Sequence, residues 1–373
     1  MTDATLVEGA RAFVKKTVQS RARAIDETGE FPSGYWEELA GCGLTALVVP
    51  GDQAGLGVDR STFAAIIETV GGACASTAWA LLTHSTAAAG IAALGTDAQK
   101  AQYLPALATG QAKGAFAATE TGGGSNPGSI STRARALDDG FVLDGGKFFI
   151  SQAGAADVYL VLARTADDPG PQGLSCFILE KSDRGLSFGR REDTMGLRGV
   201  QVREMFIEDC HVPAGRLLGG VGGAQGVLAA AGGVTLVGSG AAALGVAQAA
   251  FDATLPHVRE RHVLGKPLAA LPGVQTQLAQ VFLDLEAARS AVARGLSWLD
   301  DSAKGPPLVL WLSKVAAVRA AQRVADACLA AHGAIGYSRA LPLERHVRDL
   351  RAFGIHWGNN EVLMDTIGKM LVA

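Results

Sequence analysis

The chain has 373 residues, enough to bury a large core in one domain or in two to three packed subdomains. Its formal charge of −3 gives no electrostatic reason to expect nucleic acid as a partner. Five scattered cysteines without a CxxC pair and seven histidines without an HExxH spacing argue against a disulfide framework and the common zinc motifs, and fit a reduced, cytoplasmic protein.

The first residues, Met1-Thr2-Asp3, lack the basic-then-apolar layout of a secretory signal. Apolar residues then recur at helical spacing through Val14, Val18, Ala22 and Ile25, and again at Trp36, Leu39 and Ala40. Alanine-rich stretches between Phe63 and Leu94 continue the pattern, so residues 1–113 read as an all-helical N-terminal domain. The texture changes near residue 114. Residues 141–150 read as two strands around a glycine turn, and residues 158–162, 175–179 and 204–207 as further short strands. A linker rich in Asp, Gly and Pro (Asp167 to Gly173) separates two of them, and residues 114–220 are expected to form an antiparallel β domain or barrel.

Helical patterning returns from residue 221 to 373, with long runs at 274–298 and 308–332 divided by Gly305-Pro306-Pro307. Residues 217–251 carry no charged side chain and are long enough to span a bilayer. Their density of Gly, Ala and Ser instead favours close packing inside a helical bundle, so no membrane is expected as a partner. Helices, then strands, then a helical bundle make an α+β chain without βαβ alternation. The Rossmann GxGxxG and the P-loop are both missing.

Chemistry concentrates in residues 115–126, where an apolar run ends in Thr119-Glu120 and passes into Gly122, Gly123, Gly124 and Ser125. Glycines let successive N–H groups turn towards an anion, and Ser125 adds a hydroxyl. The strand-like Lys147-Phe148-Phe149-Ile150-Ser151 supplies an aromatic ring beside a hydroxyl. Together the two pieces can hold a flat, phosphorylated cofactor; alone, the glycine run equally fits a surface turn.

These segments resemble the middle of the acyl-CoA dehydrogenase family, which binds FAD, and the resemblance runs almost end to end. It includes Tyr35-Trp36 through Leu44, Val48-Val49-Pro50, Gly55-Leu56-Gly57, Gly95 through Lys100 and Tyr103-Leu104-Pro105. Downstream it includes Met195-Gly196-Leu197-Arg198, Val212-Pro213, Arg261 through Gly265, Glu344-Arg345 and Arg348-Asp349. The resemblance implies a helical N-terminal domain, a middle β domain and a C-terminal four-helix bundle. It places Phe116, Ala118 and Thr119 along the flavin ring and Gly124 and Ser125 at the pyrophosphate. Phe149 stands where a tryptophan commonly stacks on the flavin, and Ser151 matches a hydroxyl near the reactive nitrogen. Arg261 would reach the cofactor phosphates across a subunit interface, implying a homodimer or homotetramer, although Leu264 replaces a usual phenylalanine and Pro272 a usual glutamine. Gly333 belongs to a turn that holds the ADP part of a neighbour's FAD, here with Ala330 for glutamine and Ala334 for glycine; Asn359 and Glu361 match positions near the same nucleotide.

The family's reaction needs a carboxylate over the α carbon of an acyl thioester. The position that usually supplies it is Trp357 here, and an alternative position is Thr235; neither accepts a proton. His356 and Glu361 are the candidate replacements, the latter on the expectation that one helical turn brings it to the face of Trp357. Val200 and Val202 replace common hydroxyl residues and, with Trp357, imply a short, unusual acyl group. The chain is therefore similar to the acyl-carrier-protein dehydrogenases of polyketide methoxymalonyl extender-unit biosynthesis, which oxidise a hydroxyacyl semialdehyde on the carrier. Desaturation of a short acyl-CoA with a relocated base, flavin monooxygenation and a non-catalytic flavoprotein are the alternatives. The implied partners are an acyl thioester, on CoA or a carrier protein, and a separate flavin electron acceptor.

Overall fold

Asp3 opens the first helix by accepting hydrogen bonds from the N–H groups of Thr5 and Leu6. In the computed structural model, which describes residues 3–124, 126–168, 170–300 and 307–372, helix α1 (Ala4–Phe13) passes through a π-helical stretch at Val14–Val18 into α2 (Gln19–Thr28). The stripe Val14, Val18, Ala22 and Ile25 is buried, as its spacing requires. Helix α3 (Tyr35–Gly41) follows, then α4 (Arg60–Ala73), capped by Asp59, α5 (Ala75–Leu94), and α6 (Asp97–Ala108), which begins in a reciprocal Thr96–Gln99 capping box.

Strands β1 (Gly114–Ala117), β2 (Arg133–Ala136), β3 (Gly140–Ser151), β4 (Val158–Arg164), β5 (Leu174–Glu180), β6 (Leu186–Arg191), β7 (Val202–Pro213) and β8 (Leu217–Leu218) form one sheet. Its order is β6-β7-β3-β2-β4-β5-β8, with β1 on β4. Most pairs are antiparallel, but β1 and β2 run parallel to β4. Residues 141–150 are not two strands around a turn, as expected from their glycines. They lie within the single strand β3, whose register against β7 shifts between Leu143 and Gly145 and again between Lys147 and Ile150. Gly145, at φ 152°, leaves its Cβ direction against Thr132, so these glycines relieve a close approach and bend the strand without reversing it.

Helix α7 (Ala224–Glu260) runs for 37 residues and, among the described residues, is the one helix long and apolar enough to cross a membrane. Most of its apolar length is buried inside the protein. A Cβ on Gly245 would lie 1.9 Å from the Glu68 carbonyl oxygen, and one on Gly71 2.5 Å from that of Ala242. The small residues therefore let the α4 and α7 backbones touch. A short hairpin of β9 (His262–Val263) and β10 (Lys266–Pro267) leads to α8 (Pro272–Asp300), α9 (Leu308–His332), α10 (Ala334–Tyr337), α11 (Leu343–Phe353) and α12 (Asn360–Val372). α7 packs on α4, α5, α8, α9 and α11, joining the N-terminal helices to the C-terminal bundle beside the sheet.

Candidate active site

A cleft of about 830 Å³ opens where the sheet meets the two helical layers. Of the residues singled out in the sequence, Phe116, Ala118, Thr119, Gly124, Phe149 and Ser151 line it, as do His356, Trp357 and Asn359. Ser125 lies outside the described residues. Arg261, Leu264, Gly333 and Glu361 do not line it; Leu264 sits 94% exposed at the tip of the β9–β10 hairpin.

The wall formed by β1, β3 and the turn after β1 is held by an anchor that sequence reading missed. Glu120 is buried and receives Lys147 Nζ at 2.6 Å, the Thr132 N–H at 3.0 Å and the Ser131 N–H at 2.7 Å, together with both hydroxyls. Burial opposes its charge, but Lys147 and the two hydroxyls more than offset this and pull the carboxyl down to about 2. The Phe148 N–H donates to the Thr119 carbonyl at 2.9 Å, so the anchor and the β3 register together fix the turn after β1. The available signal was a lysine inside an otherwise apolar strand stretch and a glutamate just after an apolar run.

At the β3 bulge Phe149 takes φ 54°, a conformation bulky residues avoid, and its ring is turned out 64% exposed. Trp79 Nε1 donates to Ser151 Oγ at 3.0 Å; because indole is only a donor, the Ser151 proton stays available to another acceptor. An uncovered aromatic face, the hydroxyls of Thr119 and Ser151, and a turn at Gly123 and Gly124 fit the flavin end of FAD.

The opposite wall carries Trp357, which the resemblance leads us to expect at the position of a base. Trp357 and His356 are not on a helix with Glu361, because α11 ends at Phe353 and α12 begins at Asn360. Trp357 sits in a turn at φ 49°, followed by Gly358 at φ 85°. Its indole packs on Phe116 with ring centres 4.9 Å apart, and a Cβ on Gly232 would come within 3.9 Å of it. Glu361 instead points outward, 78% exposed, and pairs with Arg319 at 2.9 Å, so the expected shared face with Trp357 does not form. Thr235 is buried, its hydroxyl donating to the Ala231 carbonyl at 2.8 Å and meeting that of Thr86. His356 lies against Trp79, ring centres 4.4 Å apart, with Nδ1 shielded from solvent and lacking a partner among the described residues. Burial pushes its imidazole down to about 4, leaving it neutral at neutral pH.

Behind the cleft, Asp349 is buried and accepts the Leu197 N–H at 2.6 Å. Burial raises its carboxyl from 3.8 to about 7. A raised carboxylate favours the fold in its protonated form, so its contribution is full below about pH 4 and lost as pH rises to about 7. Asp349→Asn keeps an oxygen for Leu197 and has no charge to bury. Its stability advantage over the parent is expected to grow across that window, by up to about 4 kcal/mol. Urea melts from pH 4 to 8 check this; curves that stay parallel count against it.

The N-terminal, middle and C-terminal domains of acyl-CoA dehydrogenases match residues 2–111, 115–210 and 235–372. The chain is 34% identical to the cyclohex-1-ene-1-carbonyl-CoA dehydrogenase of Syntrophus aciditrophicus over 98% of this chain and 89% of that protein. The butyryl-CoA dehydrogenase of Megasphaera elsdenii superposes with a TM-score of 0.95 at 30% identity, covering 100% of this chain and 99% of that one. A prolyl acyl carrier protein oxidase, AnaB, gives 0.92 at 25% identity with both chains fully covered. Fold, site and similarity agree: the chain belongs to the acyl-CoA dehydrogenase family of FAD-dependent oxidoreductases.

Proposed function

We propose that the protein removes a hydride and a proton from neighbouring carbons of a short acyl thioester, leaving a double bond. FAD, when bound, supplies the hydride acceptor. Phe116, Ala118, Thr119, Phe149 and Ser151 would hold its ring system, with Ser151 free to donate to it. The observation that carries this reading is His356, which lines the cleft beside the residue standing at the base position and has a buried Nδ1 without a side-chain partner among the described residues. Held neutral down to about pH 4, the imidazole has roughly the proton affinity of an ordinary carboxylate and can take the α proton. Glu192 and Asp193 also line the cleft, and both border a second, smaller cavity with Arg198, to which Asp193 is paired at 2.7 Å. The indole of Trp357 and the side chains of Val200 and Val202 occupy space that a long chain would need, which limits the acyl group to a short one. The relatives acting on butyryl-CoA and cyclohex-1-ene-1-carbonyl-CoA support the same class of substrate.

His356→Gln is expected to slow flavin bleaching by butyryl-CoA, mixed without oxygen, by about a hundredfold. An unchanged rate would remove His356 from the mechanism. A separate acceptor, an electron-transferring flavoprotein or oxygen, would take up the electrons. Arg261, Leu264 and Gly333, outside this cleft, would serve the cofactor of a second copy in a cytoplasmic homodimer or homotetramer; Asn359 and Glu361 would lie near its nucleotide.

A second reading draws on the missing carboxylate at both Trp357 and Thr235. If the oxidised carbon carries oxygen, its hydrogen leaves as hydride and the proton leaves from oxygen, so no base over an α carbon is needed. A hydroxyacyl semialdehyde on an acyl carrier protein, bound for a polyketide methoxymalonyl unit, fits that chemistry, and the similarity to a carrier-protein oxidase supports the handle. Bleaching by that thioester, with butyryl-CoA inert, would select it.

A further inference from the structure

The turn that presents Trp357 to the cleft is held from behind by a buried amine. Lys314, on α9, is fully buried, and among the described residues no carboxylate pairs with it. Its Nζ donates to the Gly358 carbonyl at 2.8 Å and to Asn360 Oδ1 at 2.8 Å. The Asn360 N–H in turn donates to the Gly354 carbonyl at 2.9 Å, closing residues 354–360 into a loop with the ammonium inside it. Two successive left-handed residues, Trp357 and Gly358, form the front of that loop. A tryptophan at φ 49° is unfavourable by itself and persists only where its surroundings enforce it. Lys314 bonds the residue after the tryptophan and the residue that starts α12. Burying an unpaired ammonium is costly, and burial pulls Lys314 down to about 7. Packing in a helical bundle does not explain a lysine there, since an apolar side chain of the same length would pack without that cost.

We infer that Lys314 is a positioning residue, which holds the Trp357–Gly358 turn so that the indole stays seated between Phe116 and Gly232 and shapes the substrate end of the cleft. The functional consequence rests on the cleft being the reaction chamber, whereas the indole's seat is read without substrate. Lys314→Met removes both donors at similar length and leaves no charge to bury. The probe is the near-UV circular dichroism of Trp357, obtained in the holoenzyme by subtracting Trp357→Phe from its parent, in the native and in the Lys314→Met background. The difference signal is expected to be largely lost in the second pair, with the melt still cooperative. In a double-variant cycle the two substitutions should couple, so that Lys314→Met slows flavin reduction by butyryl-CoA in the parent but adds little once Trp357 is gone. A retained difference signal overturns the inference, as do effects that simply add. If Lys314→Met does not fold, Lys314→Gln decides: its amide ends about one bond short of the Gly358 oxygen, so the signal must fall, and an unchanged one overturns the inference. If butyryl-CoA is inert throughout while the optical coupling holds, the substrate reading fails and the positioning role stands.

Discussion

Trp357→Glu, made in the His356→Gln background, is expected to raise the rate of flavin reduction by butyryl-CoA by up to about 10⁴-fold. In that background neither position 356 nor the native Trp357 offers a group that can take a proton, so the variant asks one question of one place. The turn already carries a non-glycine residue at φ 49°, so a glutamate meets no new backbone strain, and Lys314 still bonds the Gly358 carbonyl. Removing the indole frees Phe116 and the space over Gly232, which lets a short chain reach the new carboxylate. Trp357→Phe in the same background separates the two effects, since it enlarges the cleft without adding a base and should leave the rate unchanged. A gain with phenylalanine as large as with glutamate would mean that the indole acts by bulk alone. No gain with either, in protein that still holds FAD, would count against α-proton abstraction here and favour oxidation at a carbon bearing oxygen.

The grouping of the expected flavin-side residues was legible because its signals are local, although their roles came from the resemblance alone. A run into three glycines and an aromatic two residues from a serine are read along the chain, and Phe116, Thr119, Phe149 and Ser151 do meet in one cleft. The stripe from Val14 to Ile25 was legible for the same reason, as burial follows helical spacing. What failed were inferences that extended a helix through a loop. Glu361 looked one turn from Trp357, but Gly358 and the Lys314 bonds break the chain's direction between them, and Glu361 ends up on the outside with Arg319. The glycines at 145 and 146 looked like a hairpin, since a bulge and a turn share the same residue type. Lys147, Glu120 and Lys314 were passed over because a buried charge is recognised by its partners, which here come from distant parts of the sequence.

Lys147→Met is expected to destabilise the protein by about 3–5 kcal/mol, because it leaves Glu120 as a buried carboxylate without its cation. The double variant Glu120→Gln with Lys147→Met should recover much of that loss, since Ser131 and Thr132 can still donate to the amide oxygen and no charge remains to be buried. Acid melts add a signed test. Glu120 is held near 2 in the fold against an ordinary 4.5, so its contribution is full above about pH 4.5 and is lost as pH falls towards 2. Burial acts oppositely on Lys147, lowering it to about 8 although Glu120 resists, so the ion pair is intact at neutral pH. The parent's melting midpoint should therefore drop on the acid side of pH 4.5 more steeply than that of the double variant. The same carboxylate fixes the segment from Thr119 to Thr132, so loss of Lys147 should also release FAD at concentrations where the parent keeps it. If Lys147→Met melted close to the parent and retained its flavin, the pair would be incidental, and the turn would have to be held by the Phe148–Thr119 hydrogen bond and the β1–β4 pairing alone.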